Sequence, residues 1–170
     1  MKVLIISDSH GQTDVLHRVK ERHLTEVDAI IHCGDSELMK DDLALDRMIV
    51  VRGNCDFETS FMNDHIEQMN DIKFFVTHGH LYSVKSTLMK LKYKAEEVNA
   101  NVVCFGHSHI AGAEMIDGIL FINPGSISLP RMRKEKTYVI LNIAKGQANV
   151  DFYDENGDLL TNMSTAFQYA

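Results

Sequence analysis

Apolar residues come in short, dense runs, and each run stops at a polar cluster. Val3-Leu4-Ile5-Ile6 is unbroken and rich in β-branching, as expected of a strand buried on both faces, and it ends at Ser7-Asp8-Ser9-His10-Gly11. Thr13 or Asp14 is placed to cap a following helix whose buried side carries Val15, Leu16 and Val19. Ala29-Ile30-Ile31-His32 predicts a second strand, ending at Cys33-Gly34-Asp35. Ile49-Val50-Val51 predicts a third, ending at Arg52-Gly53-Asn54-Cys55-Asp56. Asn70-Asp71 is a two-residue turn signal, so residues 67–69 and 72–76 should pair as a hairpin whose second arm ends at Thr77-His78-Gly79-His80. Leu88, Leu91 and Ala95 share one side of a helix predicted over residues 84–98. Residues 102–105 read as a strand ending at Gly106-His107-Ser108-His109. Asp117-Gly118 and Lys145-Gly146 predict two further hairpins, joining 112–116 to 120–122 and 137–143 to 148–153.

Helices alternate with strands first, and hairpins dominate later. That order predicts a layered α/β fold, either with one mixed sheet or with two sheets packed face to face and helices outside. A chain of 170 residues fits one domain, expected over 1–156, with a polar, weakly patterned tail at 157–170 that is partly disordered. The first apolar run is too short for the core of a signal peptide, and no run of 18 apolar residues occurs. Formal charge is 17 − 24 = −7, which argues against broad binding to nucleic-acid backbones. Three cysteines without a C-x-x-C point to reduced thiols and a cytoplasmic protein.

The polar clusters carry the chemistry. Five strand ends bear Asp8 and His10, Asp35, Asn54, His78 and His80, and His107 and His109. Ligands of open α/β sheets bind outside the carboxyl ends of the strands, so five such ends can converge on one pocket. Alternate residues leaving a strand share a face, which turns the members of D-x-H and H-x-H the same way. Imidazole, carboxylate and amide oxygen together suit Mn, Fe, Co, Ni or Zn, whereas calcium takes oxygen alone. Seven candidate ligands (Asp8, His10, Asp35, Asn54, His78, His107 and His109) exceed one tetrahedral site and fit two ions sharing a carboxylate. His32 reads as a packed histidine, and His17, His23 and His65 as surface or helix-face residues. Asn123-Pro124-Gly125-Ser126 reads as a rigid turn that either contacts ligand or braces the G-H-S-H loop. Arg131 and Arg133 are either an anion-attracting pair or a solvated cluster.

The ordered set D-x-H, G-D, G-N-x-D, H-G-H and G-H-S-H, over about residues 3–130, resembles the calcineurin-like metallophosphoesterases. Asn123-Pro124-Gly125-Ser126, Leu129-Pro130-Arg131 and the short length look like their YfcE-type phosphodiesterase branch. The resemblance implies a four-layer α/β/β/α sandwich with two mixed sheets packed face to face. It implies that Asp8, His10 and His109 hold one divalent ion, that Asn54, His78 and His107 hold the other, and that Asp35 bridges them. Manganese is the first expectation, with Ni, Co, Fe or Zn as alternatives. The implied reaction is hydrolysis of a small phosphodiester by in-line attack of a hydroxide shared by the two ions. Many members carry G-N-H-[DE], but here Cys55 stands at the histidine position. A thiol is the poorer proton donor, so weakly basic leaving groups should be favoured. Asn54 and Cys55 are then candidate substrate contacts, and His80 is the candidate substitute donor to phosphate or leaving group. The branch also resembles the phosphoesterase-like subunit of retromer, so a protein-binding scaffold is the alternative. Met62, Met69 and Leu129 would suit a docking face or a homo-oligomer interface.

Overall fold

The computed structural model describes residues 1–168. The elements run β1 (Lys2–Ile6), α1 (Thr13–His23), β2 (Ala29–His32), β3 (Met48–Val50), β4 (Asp64–Met69), β5 (Ile72–Thr77), α2 (Met89–Glu97), β6 (Val102–Cys104), β7 (Gly112–Ile116), β8 (Ile119–Asn123), β9 (Thr137–Ala144), β10 (Gln147–Asp154) and β11 (Thr165–Gln168). They form two mixed sheets. One has the order β11-β10-β9-β1-β2-β3, with β1, β2 and β3 parallel. The other has the order β4-β5-β6-β8-β7, with β5, β6 and β8 parallel.

Strand alternation builds the layers. Val3 and Ile5 point from β1 into the core between the sheets, where they meet Phe74 and Val76 of β5 and Val102 and Cys104 of β6. Leu4 and Ile6 point the other way, onto Val15, Leu16 and Val19 of α1. Phe75 and Val103 lie on the outer face of the second sheet against Leu91 and Ala95 of α2. The fold is therefore the expected helix, sheet, sheet, helix sandwich, and the unbroken apolar runs are strands buried on both faces. No helix among the described residues is long and apolar enough to cross a membrane.

Three local expectations change. Helix α1 is entered through Gln12, and neither Thr13 nor Asp14 caps it. Helix α2 starts at Met89 rather than at residue 84. Ser83 is left-handed (φ 57°) and the Thr87 hydroxyl accepts from Met89 N–H, so residues 84–88 form turns that support the helix from outside. The tail is also more structured than its polarity suggests: β11 pairs with β10, and Leu160, Met163 and Phe167 pack on the inter-sheet core. An edge strand with one covered face needs few apolar residues, so its pattern is weak. Tyr169 and Ala170 lie outside the described residues.

Candidate metal centre

The carboxyl ends of β1, β2 and β3 lie along one sheet edge, those of β5 and β6 along the other, and their loops close on each other. Asp8 N–H donates to Gly34 O and His10 N–H to Asp35 O, which ties the first two loops together. His107 N–H donates to Asp8 Oδ2 and the His78 ring to Cys33 O, which ties the two sheets. Two glycines permit the approach. A Cβ on Gly53 would collide with Asp35, and one on Gly106 with Ser7 and Asp8. Five of the seven candidate ligands, Asp8, His10, Asp35, His107 and His109, have positive φ between 45° and 66°. Left-handed backbone costs roughly 1–2 kcal/mol at a non-glycine residue, so its concentration here marks a site whose geometry is imposed by the surrounding fold.

The donor atoms gather inward. One oxygen or ring nitrogen from each of Asp8, His10 and His109 lies within 4.8 Å of the others, and the same holds for Asp8, Asp35 and His78 and, with the Cys55 sulfur, for His10, Asp35 and Cys55. His109 Nε2 is 3.1 Å from Asp8 Oδ1, and His78 Nε2 is 3.2 Å from both Asp35 Oδ2 and Asn54 Oδ1. The His107 ring packs 5.1 Å from that of His78, and it belongs to none of the three groups. His80 stands at the rim on a 3-10 turn (His80–Tyr82), its ring 5.4 Å from His78 and 6.1 Å from His107. Its Nδ1 is buried and unpaired.

Hydrogen bonding fixes which ring nitrogen faces the centre. Nδ1 of His78 meets Cys33 O at 2.7 Å, Nδ1 of His109 meets Leu129 O at 2.7 Å, and Nδ1 of His10 meets Glu37 Oε1 at 2.6 Å. Each partner only accepts, so the proton of the neutral ring sits on Nδ1 and the Nε2 lone pair points inward. Those lone pairs face carboxylates. Asp8 is fully buried: its Oδ2 accepts from Ser7 and His107 N–H, while Oδ1 accepts no hydrogen bond. Inward lone pairs and an orphaned carboxylate oxygen repel unless a cation lies among them. Nitrogen with carboxylate oxygen is the donor set of borderline divalent ions, so these residues fit a transition metal.

The titration of the groups shows the same tension. Burial opposes ionisation of Asp35, but a protonated His78 ring and the Cys55 N–H outweigh it and hold the carboxyl below its usual range. Burial favours neutral His78, yet the Asp35 and Asp8 carboxylates raise its pKa. Asp8 likewise raises His109 against its burial. Burial, reinforced by the charge of His78, depresses His107 to about 4 and lowers His80 as well. Burial and the carboxylates of Asp35, Glu37 and Asp56 push Cys55 up to about 11, so it is a thiol at neutral pH.

Apart from the turn at 123–126, for which bracing was one of two readings, the supporting residues were not identified by sequence reasoning. Asp56, the D of G-N-x-D, accepts from the backbone N–H of Asp35 (2.9 Å), Gly53 (2.7 Å) and Glu37 (2.7 Å) and from the Ser36 hydroxyl (3.3 Å), so one carboxylate sets two loops. Ser126 donates to Asp8 O, and Asn123 donates to Gly106 O and Ser108 Oγ. The Asn-Pro-Gly-Ser turn thus braces the G-H-S-H loop. His32 is packed as expected, sharing a bond with Ser9. His23 is on the buried face of α1 and bonds Tyr138. Arg133 turns away to Met163, while Arg131 stays exposed. Of the three residues suited to a docking face, Met62 and Leu129 are exposed, but Met69 packs on the inter-sheet core. All three cysteines are free.

Comparison with known proteins agrees with this geometry. Residues 1–146 match the model of the calcineurin-like phosphoesterase superfamily domain. The chain is 51% identical over 158 residues to the probable metallophosphoesterase YsnB of Bacillus subtilis, covering 93% of this chain and 94% of that protein. It is 31% identical over 144 residues to phosphodiesterase MJ0936 of Methanocaldococcus jannaschii, covering 74% and 83%. A crystal structure of a conserved uncharacterized protein, a predicted phosphoesterase, from Streptococcus pneumoniae superimposes with a TM-score of 0.95 at 34% identity, covering 98% and 97%. A matched domain, similar relatives that include a probable metallophosphoesterase, and a cation-ready cluster at the strand ends lead to one assignment: the chain belongs to the calcineurin-like phosphoesterase superfamily.

Proposed function

We propose that the protein is a two-metal phosphodiesterase. In this reading Asp8, His10 and His109 hold one divalent cation, Asn54, His78 and His107 hold the other, and Asp35 is shared. The observation that carries it is the unpaired Asp8 Oδ1 among inward-facing Nε2 atoms. The bound cations would supply an activated water and neutralise charge on the phosphoryl oxygens. The chain's own residues do the remainder. Cys33 O, Leu129 O and Glu37 hold the imidazoles in one tautomer and one orientation. Cys55 N–H donates to the Asp35 carboxylate at 2.8 Å and favours its ionised form. Asn54, being neutral, limits the negative charge that meets an anionic substrate.

His80 at the rim is the proposed donor to phosphate or to the departing oxygen, and Cys55 and Asn54 line the approach. A thiol with a pKa of about 11 protonates a basic alkoxide poorly, which favours diesters with weakly basic leaving groups. The likeness to a phosphodiesterase supports the same choice. Manganese is the proposed native ion, in a reducing cytoplasm where three free thiols persist. A protein-binding scaffold would need none of the inward donors.

The test is direct. Chelator-treated protein restored with Mn or Ni should hydrolyse bis(p-nitrophenyl) phosphate, and Asp35→Asn should lower kcat about a thousandfold with an unchanged circular dichroism spectrum. Full activity in that variant would remove Asp35 from the centre. A stoichiometric protein partner, with no turnover on any diester, would favour the scaffold.

A further inference from the structure

A cavity of about 480 Å³ opens beside the G-H-S-H loop, on the outer face of the second sheet. It exists because α2 begins late: Val84 and Leu88, in the turns before the helix, stand on one side, β7 stands on the other, and Phe105 and Phe121 form the apolar floor. Ser108, between His107 and His109, is part of its wall, so one loop separates the cavity from the candidate metal centre. Lys85 and Arg131 stand at that boundary. Both line the cavity with Ser108, and Arg131 N–H donates to His109 O at 3.0 Å. Neither side chain has an ion-pair partner among the described residues. In a chain of net charge −7, two unpaired cations at one mouth oppose the overall sign. Glu114 lines the cavity two residues farther along β7, away from the site end of the strand. The cavity is thus positive next to the centre, apolar inside and acidic at its far side. A volume of this size is that of a small-molecule pocket.

We propose that this cavity receives one alcohol moiety of the ester substrate, an aromatic or apolar group of up to nucleoside size, with Lys85 and Arg131 holding the phosphate between cavity and centre. The identity of the ligand as an ester rests on the phosphodiesterase reading above. The existence of the binding site does not, and the two are tested separately.

Gly112 provides the tool. It lines the cavity, its φ is not left-handed, and a Cβ built on it meets nothing within 4 Å, so a side chain there enters open space without straining β7. Binding of thymidine 5′-monophosphate to chelator-treated protein is measured by calorimetry. Gly112→Trp should raise Kd about tenfold or more, as loss of an apolar pocket does, while Gly112→Ala should leave it unchanged. Lys85→Ala should weaken binding of the monophosphate and not of thymidine. With manganese restored, wild type should prefer thymidine 5′-p-nitrophenyl phosphate over methyl p-nitrophenyl phosphate in kcat/KM, and Gly112→Trp should remove that preference while sparing the methyl ester. Equal Kd in wild type and Gly112→Trp, or no binding to wild type, overturns the proposal even if both esters are hydrolysed. Binding that depends on Gly112, with neither ester turned over, upholds the cavity and overturns the phosphodiesterase reading.

Discussion

At one end of the sandwich the chain turns at Asn70, at Asp117-Gly118 and at Lys145-Gly146, and each turn has backbone of positive φ. At the other end it turns at Asp8, His10, Asp35, Glu37, His107 and His109, again with positive φ. Lys145 apart, the first set is local chemistry: glycine, asparagine and aspartate tolerate the left-handed region, and two such residues match the twist of a hairpin. The second set includes Glu37, a poor left-handed residue, and gathers six left-handed positions at one end. There the conformation is held by bonds from distant parts of the chain, namely Gly34 O on Asp8, Asp35 O on His10 and the Asp56 carboxylate on Asp35 and Glu37. One end turns because of what its residues are, and the other because of what surrounds them. Only the second arrangement aims side chains that would otherwise diverge.

If that distinction holds, removing Asp56 should have the largest effect of any change outside the candidate ligands. Asp56→Ala leaves two buried backbone N–H groups, those of Asp35 and Gly53, and the half-buried one of Glu37 without their acceptor. Stability should fall by about 3–5 kcal/mol, read from denaturant midpoints. Manganese affinity, measured by calorimetry, should fall about 10–100-fold because the Asp35 and Glu37 loops are no longer fixed. Unchanged metal affinity in a folded Asp56→Ala protein would mean that the loops at this end hold their shape locally, like the hairpins.

The same contrast explains what the sequence disclosed. The hairpins at 70–71, 117–118 and 145–146, the buried strands and α1 were legible because their signals are short-range: turn residues, alternation and helical spacing. The convergence of Asp8, His10, Asp35, Asn54, His78, His80, His107 and His109 was legible because strand ends carry ligands in this class of sheet and the ordered motifs resemble a known family. The bracing role of the turn at 123–126 was legible as one of two alternatives, whereas Asp56, Ser7 and Glu37 were not legible as supports: Asp56 acts through backbone N–H groups, and Ser7 and Glu37 meet their partners only through the folded loops. The start of α2 was missed because Leu88, Leu91 and Ala95 keep helical period while the Thr87 hydroxyl bonds the backbone. Strand β11 was missed because an edge strand carries little hydrophobic signal.

A buried histidine beneath the site sharpens the comparison by pH. His32 is fully buried; its Nδ1 accepts from Gly34 N–H and its Nε2 donates to Ser9 Oγ, so it spans the first two loops as a neutral ring. Burial depresses its pKa from 6.5 to about 4. The unfolded chain therefore takes up the proton first. The contribution of His32 is complete above pH ~6.5 and is lost as pH falls toward 4, by about 3 kcal/mol in total. Denaturant midpoints of chelator-treated protein at pH 7 and pH 4.5 should separate more for wild type than for His32→Gln. Equal separation would show that this ring is not what makes the site end acid-labile.

The smallest effect is also the cleanest test of the two kinds of turn. Lys145 sits in a hairpin at φ 53° and gains nothing from that conformation, because the turn serves only to reverse the chain. Lys145→Asn should relieve local strain and stabilise the protein by about 0.5 kcal/mol, a rise in Tm of ~1–2 °C at this chain length, with diesterase activity unchanged. Glu37 has nearly the same φ, 56°, so Glu37→Gly removes comparable strain. It also removes the carboxylate that holds His10 Nδ1 at 2.6 Å. Manganese affinity should therefore fall about tenfold or more in Glu37→Gly while remaining unaltered in Lys145→Asn. If both changes stabilised equally and neither touched metal binding, backbone strain at the two ends would have the same origin, and the site end would lose its claim to a geometry imposed from a distance.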